Sequence, residues 1–336
     1  MSSPLSIPSI DEIYEAQTRL RNIVTRTPLL KLNYETPGIE IYLKCEQFQP
    51  ISSFKIRGAT NAVKILPVEE KQNGIVTASA GNMAQGLAWI AGKENIKCQV
   101  LVPETANEVK LKAIERLGGK ITKCSFEQWW QVIVTHQCSM LDGHFIHPVC
   151  DRNVIAGNGT IALEILDELP DCDAILVPYG GGALITGIAS VAKHLKPSID
   201  VLACEIETAA PLAAAFKNNT ITEIPMKKSW VDGIGSSSVL NEMWPLVKSC
   251  VDNSVVVTLK ETAKALKILI ERNHIICEGA SATTLAAGLW HYMNYVENGQ
   301  AGLRGKDRNE PFKLVAVLSG AGIDNETLIK CLRETL

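Results

Sequence analysis

Residues 173 to 207 read DAILVPYGGGALITGIASVAKHLKPSIDVLACEIE. Two apolar runs of strand length enclose a glycine turn and a helical period, so the stretch reads strand, turn, helix, strand. Strands joined through a helix run parallel, and a parallel sheet must be covered on both faces. No other feature narrows the fold as much. Part of the same stretch, AILVPYGGGALITGIASVA, is the one apolar segment near membrane length. Pro178 and Gly180 to Gly182 break it, so no transmembrane segment is expected.

The alternation recurs along the chain. Ser9 caps an amphipathic run from Asp11 to Val24, IEIYLKCE reads as a strand and FKIRGATNAVKIL as a helix. GIVTAS, a helix from Asn82 to Gly92, CQVLVP, a helix from Asn107 to Leu117, GGKITKC and a helix from Phe126 to Thr135 follow. After His147 come NGTIALEILDEL, DAILVPY, ALITGIASVAKHL, DVLACEIE, SVVVTL, KETAKALKILIER and KLVAVLS. This pattern predicts an α/β fold of open, mostly parallel sheets flanked by helices. With no clear linker, a second domain should be inserted rather than joined in tandem. Four βα-like units from Gly74 to His147 are the candidate: a small α/β domain over 71–149, with 1–70 and 150–336 forming a discontinuous large domain. The polar segment ENGQAGLRGKDRNEP reads as a surface loop.

Bulk properties exclude more than they specify. At 336 residues, 46% hydrophobic and 21% charged, the chain is an ordinary globular protein of about two domains. A net charge of -3 and the lack of a basic run give no basis for binding nucleic acid or an anionic membrane. The ten cysteines are scattered, without CxxC spacing, and MSSPLSIPSID lacks the features of an export signal. Free thiols and a cytoplasmic location are the expectation.

Unusual residues concentrate at four strand-to-helix turns, the places where open α/β sheets bind ligands. They are SSFKIRGA at 52–59, TASAGNMAQG at 77–86, PYGGGALITG at 178–187 and VLSGAGID at 317–324. Gly180 to Gly182 let backbone N–H groups approach an anion, and the following helix adds its positive end; a tight turn with close packing would use the same glycines. The loop is not a Walker A sequence and misses the GxGxxG spacing.

Taken together and in this order, SSFKIRGA, SAGNMAQG, GGGALITG and LSGAG resemble the fold type II pyridoxal 5'-phosphate enzymes, specifically the threonine/serine dehydratase and serine racemase group. The resemblance runs from TRTPLL at 25–30 through the final strand. It implies a tryptophan-synthase-β-like fold and pyridoxal 5'-phosphate as cofactor. Lys55 would carry the cofactor as a Schiff base, with Phe54 and small neighbours keeping the bond dry; an apolar pocket also disfavours the charged amine. Ser79, Ala80, Gly81, Asn82 and Met83 would receive the substrate carboxylate on their N–H groups, with Lys55 and Ser79 as the candidate catalytic residues. Asn82 would also reach the ring hydroxyl, although asparagine is equally a helix cap. Gly180, Gly181, Gly182, Ala183 and Leu184 match the phosphate loop. Ser319 matches the residue facing the pyridine nitrogen, where a neutral hydroxyl makes the ring a weaker electron sink than a carboxylate would; an ordinary strand-end serine is the alternative. The implied reaction is β-elimination, with Lys55 as general base on the Cα proton and a 2-oxo acid and ammonia as products.

Several positions depart from the group. Alanine stands at position 80, where its racemases have a serine that returns a proton, so little racemisation is expected. Met83 replaces a usual histidine and Val149 an asparagine, which makes the rim less polar and admits a bulkier β-substituent. Glu205 matches one acidic ligand of the racemase metal site, but Pro211 stands where a second carboxylate belongs. That leaves a divalent or monovalent cation uncertain, with Glu207 as a substitute ligand. No zinc spacing is found, and His147 reads as structural. Gly233 and Gly235 in VDGIGSSS would allow close backbone approach to the ring. Glu278 in CEGAS is either a partner of the cofactor's neighbours or a helix-start glutamate.

The preferred reading is therefore a lyase dehydrating L-threonine or L-serine. Alternatives are a dehydratase for 3-phenylserine or 3-hydroxyaspartate, a serine racemase, a cysteine-synthase-like β-replacement enzyme, and a cofactor-binding regulator. The expected partner is a small amino acid, in a homodimer by default. No C-terminal regulatory domain is expected, since the chain ends soon after VLSGAGID.

Overall fold

The computed structural model describes residues 4–299 and 310–333, so most of the loop expected at ENGQAGLRGKDRNEP lies outside the described residues. Among the described residues ten strands form two sheets. The larger contains β1 (Leu29–Lys31), β2 (Ile39–Lys44), β7 (Ala174–Pro178), β8 (Asp200–Ile206), β9 (Asn253–Val257) and β10 (Phe312–Val317). Its order is β1-β2-β10-β7-β8-β9, parallel except for the β1–β2 pair. The smaller is fully parallel in the order β5-β4-β3-β6, from β3 (Ile75–Ala78), β4 (Cys98–Pro103), β5 (Lys120–Cys124) and β6 (His144–Phe145). Among the described residues no helix is long and apolar enough to cross a membrane. All ten cysteines are free.

Central strands of the large sheet show why their sequences do not alternate in polarity. Every residue of β7 and β8 is buried. Ile175 and Val177 enter one apolar cluster while Ala174 and Leu176 enter another on the opposite face. The first cluster continues into the small sheet through Val100 and Val102 and into the helix beside it through Leu87, so one core supports both sheets. Glycine permits the tightest helix contacts: a Cβ at Gly187 would lie 2.4 Å from the Ile155 carbonyl, and one at Gly157 would lie 2.6 Å from that of Arg57.

Three expectations need adjustment. Between β3 and β6 the chain forms three helices, Asn82–Lys93, Glu108–Arg116 and Phe126–Thr135, rather than completing four βα units. The first helix ends at Leu20, short of Val24, and Asn22 turns left-handed with φ 64°. The helix containing NGTIALEILDEL starts earlier, at Arg152, because the Asp151 carboxylate accepts the N–H groups of Asn153 and Val154. The helix Gly279–Trp290 was not anticipated; its residues are buried from Gly279 to Gly288, so it carries no polar stripe to reveal its period.

The topology places the last strand in the middle of the sheet. β10 lies between β2 and β7, with Val317 level with Lys44. Its exit is thereby joined to the SSFKIRGA turn: the Phe54 N–H donates to the Ser319 carbonyl at 2.9 Å, and that of Ala321 to Ser52 at 3.0 Å. Beneath the turn lies a buried charge cluster. Arg57, 1% exposed, bonds Glu46 and Glu164, and Lys44 bonds Glu164 at 2.7 Å.

Candidate active site

Four helices begin at the C-terminal ends of strands around one cavity of about 360 Å³. They start at Lys55, Asn82, Ala183 and Gly279, and each is at least 11 residues long. Their positive ends converge, which suits an anionic ligand. Among the described residues, the N–H groups of Ala80, Asn82 and Met83, and those of Gly180 to Leu184, have no protein acceptor. A wider hollow of about 750 Å³ lies near Tyr14 and Leu195, but there Arg26 is paired with Asp167 at 2.6 Å and no such donors converge.

Lys55 opens its helix and reaches into the cavity. Its Nζ donates to the Pro148 carbonyl at 3.1 Å and lies 5.3 Å from the centre of the Phe54 ring. Burial lowers its pKa to about 8, against the opposing attraction of Glu278. His147 holds Pro148 in place: its Nδ1 accepts the N–H groups of Val149 at 3.0 Å and Cys150 at 2.6 Å, and Nε2–H faces the Ile133 carbonyl at 3.1 Å. Burial pushes this imidazole down to about 3, so it stays neutral.

The remaining sequence-predicted residues fall into place around this lysine. Phe54, Ser79, Gly81, Asn82 and Met83 line the cavity, as do Gly180 to Leu184 and Ser319. Ala80 lies between two lining residues without lining the cavity itself. Gly181 sits where a Cβ would be 2.4 Å from Val149, and Gly182 has φ +102°. No side chain caps the helix at Ala183. Gly233 lines the cavity, whereas Gly235 packs instead against Ala209.

Glu278 lines it too, 6% exposed, and the helix-start alternative fails in one respect: its side chain caps nothing. Its oxygens accept instead from Ser319 Oγ at 3.0 Å and Asn82 Nδ2 at 3.3 Å. Burial raises its pKa, while these two donors and the more distant Lys110 favour the charged form. Sequence reasoning missed Lys110, Trp129, Pro148 and Asp232, which complete the lining. Lys110 and Asp232 pair at 2.7 Å across 122 residues of sequence, a separation that leaves no local signal.

Glu205 lies elsewhere, fully buried. Its oxygens accept the N–H groups of Leu212 at 2.9 Å and Ala213 at 2.7 Å and the Ser254 hydroxyl at 2.6 Å. Pro211 opens the helix that Glu205 caps in this way. Burial pushes the Glu205 carboxyl up to about 7. Glu207 accepts the Leu259 N–H at 2.8 Å. His136, His147 and Cys150 bring ligating atoms within 4.8 Å of one another. Both nitrogens of His147 are already committed, however, which leaves that trio short of a third free lone pair.

The two-sheet α/β fold and a lysine enclosed among unpartnered N–H groups define a cofactor-dependent enzyme of fold type II. The unpaired donors of the glycine loop and the lowered lysine pKa fit pyridoxal phosphate, whose phosphate needs the former and whose aldehyde needs the latter. Residues 20–302 match the family described as pyridoxal-phosphate dependent enzyme, and the chain belongs to that family. It is 36% identical to a serine racemase of Dictyostelium discoideum over 98% of this chain and 99% of that protein. It is 34% identical to an L-threonine ammonia-lyase of Thermotoga maritima, over 98% of this chain and 79% of that one. The structure of maize serine racemase superposes with a TM-score of 0.84 at 31% identity, covering 98% of both chains.

Proposed function

We propose that the protein is an ammonia-lyase that eliminates water from L-threonine, L-serine or a related 3-hydroxy amino acid, giving a 2-oxo acid and ammonia. The observation that carries this reading is the enclosed Lys55 amine, with a pKa of about 8, opposite two sets of unpartnered N–H groups in one cavity. Relatives described as L-threonine ammonia-lyases support it.

When bound, the cofactor supplies an electron sink that acidifies the substrate Cα–H. Everything else falls to the chain. The amides at Ala80, Asn82 and Met83 hold the substrate carboxylate, and those of Gly180 to Leu184 hold the cofactor phosphate. Ser319 and Asn82 line the same cavity and would face the ring nitrogen and the ring hydroxyl. Lys55, close to half deprotonated near pH 8, takes the Cα proton. Phe54, Met83 and Val149 exclude water from that side. Ala80 carries no exchangeable proton, so the opposite face of Cα lacks the donor a racemase needs.

The same reading treats 71–149 as a small domain inserted into a large one made of 1–70 and 150–336. It is supported by the fact that every strand of the four-stranded sheet falls between residues 75 and 145. It also takes the protein to be cytoplasmic, with a small amino acid as its partner.

The test is 2-oxo acid release from L-threonine, L-serine, D-serine and 3-phenylserine, with Lys55→Ala as control. Release from the L-hydroxy amino acids, abolished in the control, is expected. Full turnover by Lys55→Ala would end the proposal, and rapid deuterium incorporation into the opposite enantiomer would favour a racemase. A cofactor spectrum unmoved by every amino acid would point to a regulator.

A further inference from the structure

We propose that His136, Cys150 and Glu242 form a zinc site beside the glycine loop, outside the catalytic cavity, where the ion acts as a structural clamp. The inference is independent of the reaction assigned above.

The three residues come from separate parts of the chain. His136 closes the helix Phe126–Thr135 in the left-handed conformation, φ 58°, with its N–H on the Val132 carbonyl at 3.0 Å. Its ring lies against that of His147, the centres 4.2 Å apart, and His147 is itself held by three hydrogen bonds. Cys150, 7% exposed, lies just ahead of the helix Arg152–Glu168, and Glu242 just ahead of the helix Trp244–Cys250. None of the three lines the catalytic cavity.

Glu242 supplies the lone pair that His147 lacks. Its Oε2 lies 2.9 Å from His136 Nε2, and its carboxylate also accepts the Cys150 thiol proton. His136 and Cys150 bring ligating atoms within 4.8 Å of each other. The imidazole nitrogen is the telling atom. Among the described residues, His136 Nε2 is buried and, although Glu242 is so close, has no hydrogen-bond geometry to any partner. A buried nitrogen left in that state destabilises the fold, whereas a cation between it, the carboxylate and the sulfur satisfies all three. Bonds of about 2.0–2.3 Å at a tetrahedral zinc hold neighbouring donors roughly 3.3–3.8 Å apart, so imidazole and carboxylate need part by only about half an ångström.

The donor set chooses the metal. Imidazole, thiolate and carboxylate together suit zinc, whereas magnesium and calcium want oxygen ligands. Glu242 is 47% exposed, which gives an ion its route in and a water its place as fourth ligand. The thiol proton leaves to solvent as the sulfur binds. Val149, next to Cys150, packs on Gly181, and Met243, next to Glu242, packs on Gly182. Zinc therefore ties together the two segments that brace the glycine loop, and joins both to the helix that packs on β3 and β4.

The experiment uses the full-length protein loaded with pyridoxal phosphate, stripped of metal by a chelator and titrated with Zn²⁺, with Mg²⁺ as the control ion. One zinc per chain is expected, raising the unfolding temperature by about 4 °C when free zinc is about 100-fold above its Kd. Mg²⁺ should not compete. Co²⁺ in place of zinc should give the visible bands of tetrahedral cobalt bound to a thiolate. Cys150→Ala and Glu242→Gln should each weaken zinc binding at least tenfold, and Cys150→Ala should abolish the cobalt bands. If Cys150→Ala does not fold, the more exposed His136→Gln should show the same loss of zinc. Cys138→Ala, which removes a neighbouring thiol, should bind zinc as wild type does. No stoichiometric zinc, zinc binding unmoved by the three variants, or a loss in Cys138→Ala as large as in Cys150→Ala would overturn the inference and leave the ammonia-lyase reading untouched.

Discussion

Replacing Arg57 with methionine tests how the reactive lysine is held. Arg57 lies two residues beyond Lys55, and its guanidinium reaches two carboxylates: Nε and Nη2 meet Glu46 at 2.8 Å each, Nη1 and Nη2 meet Glu164 at 2.7 and 2.8 Å. With Lys44 on Glu164, the buried cluster holds two negative and two positive charges and is neutral. Methionine leaves two carboxylates against one lysine, a net negative charge with little water around it. Breaking a buried pair in this way costs about 3–5 kcal/mol, or roughly 4–7 °C in Tm for a chain of this size. Thermal or urea unfolding of the apo protein measures it. Adding Glu46→Gln restores neutrality, because Lys44 and Glu164 still pair, so Arg57→Met/Glu46→Gln should be more stable than the sum of the single losses by at least about 1 kcal/mol. Simple additivity, or a loss below about 1 kcal/mol for Arg57→Met, would refute the charge argument.

Gly181→Ala should weaken cofactor binding at least tenfold in fluorescence titrations, because its Cβ would lie 2.4 Å from Val149 Cγ2 and 2.8 Å from Cγ1. Val149→Ala removes both atoms and leaves only the 3.2 Å contact with Cβ, so the double variant should recover most of the affinity. The apo protein should gain stability as pH rises from about 8 towards 10.5. In that window the unfolded chain binds a proton at Lys55 that the folded chain has released. The gap corresponds to about 3 kcal/mol, read as the difference between wild type and Lys55→Met in unfolding midpoints, and a falling difference would contradict the sign. Ala80→Ser should raise deuterium incorporation into the opposite enantiomer without abolishing 2-oxo acid release.

What could be read from the sequence is what is local. Asn82, Gly180 and Ser319 each lie within four residues of a strand's end, and Lys55 and Asn82 open helices, so a short window displays both the residue and its setting. The helix Phe126–Thr135 matched its predicted limits because Ser125 and Gln128 form a capping box with a clear start. Long-range partners gave no such window. Glu278 meets Ser319 and Asn82 across 41 and 196 residues, and Arg57 meets Glu164 across 107. Burial hid the rest: a helix such as Gly279–Trp290, whose Ser281, Thr283 and Thr284 are buried along with its apolar residues, shows no polar face to solvent, and β6 is only two residues long.

The motif SSFKIRGA therefore contains two unlike demands within one turn of one helix. Lys55 must be dry enough to lose its proton near neutral pH, whereas Arg57 must be paired well enough never to lose its own. Dryness serves both through opposite means. Around Lys55 the neighbours are Phe54, a carbonyl and one carboxylate held off by its own donors, so desolvation prevails. Around Arg57 two carboxylates are in direct contact, so attraction prevails. The small residues of the motif reconcile the two. Gly58 lets the helix Arg152–Glu168 come close, since a Cβ there would be 2.8 Å from Val154, and that helix brings Glu164 to Arg57. The chemistry of the lysine thus depends on a packing contact three residues along the chain, and a methyl group at Gly58 should disturb both the charge cluster and the amine above it.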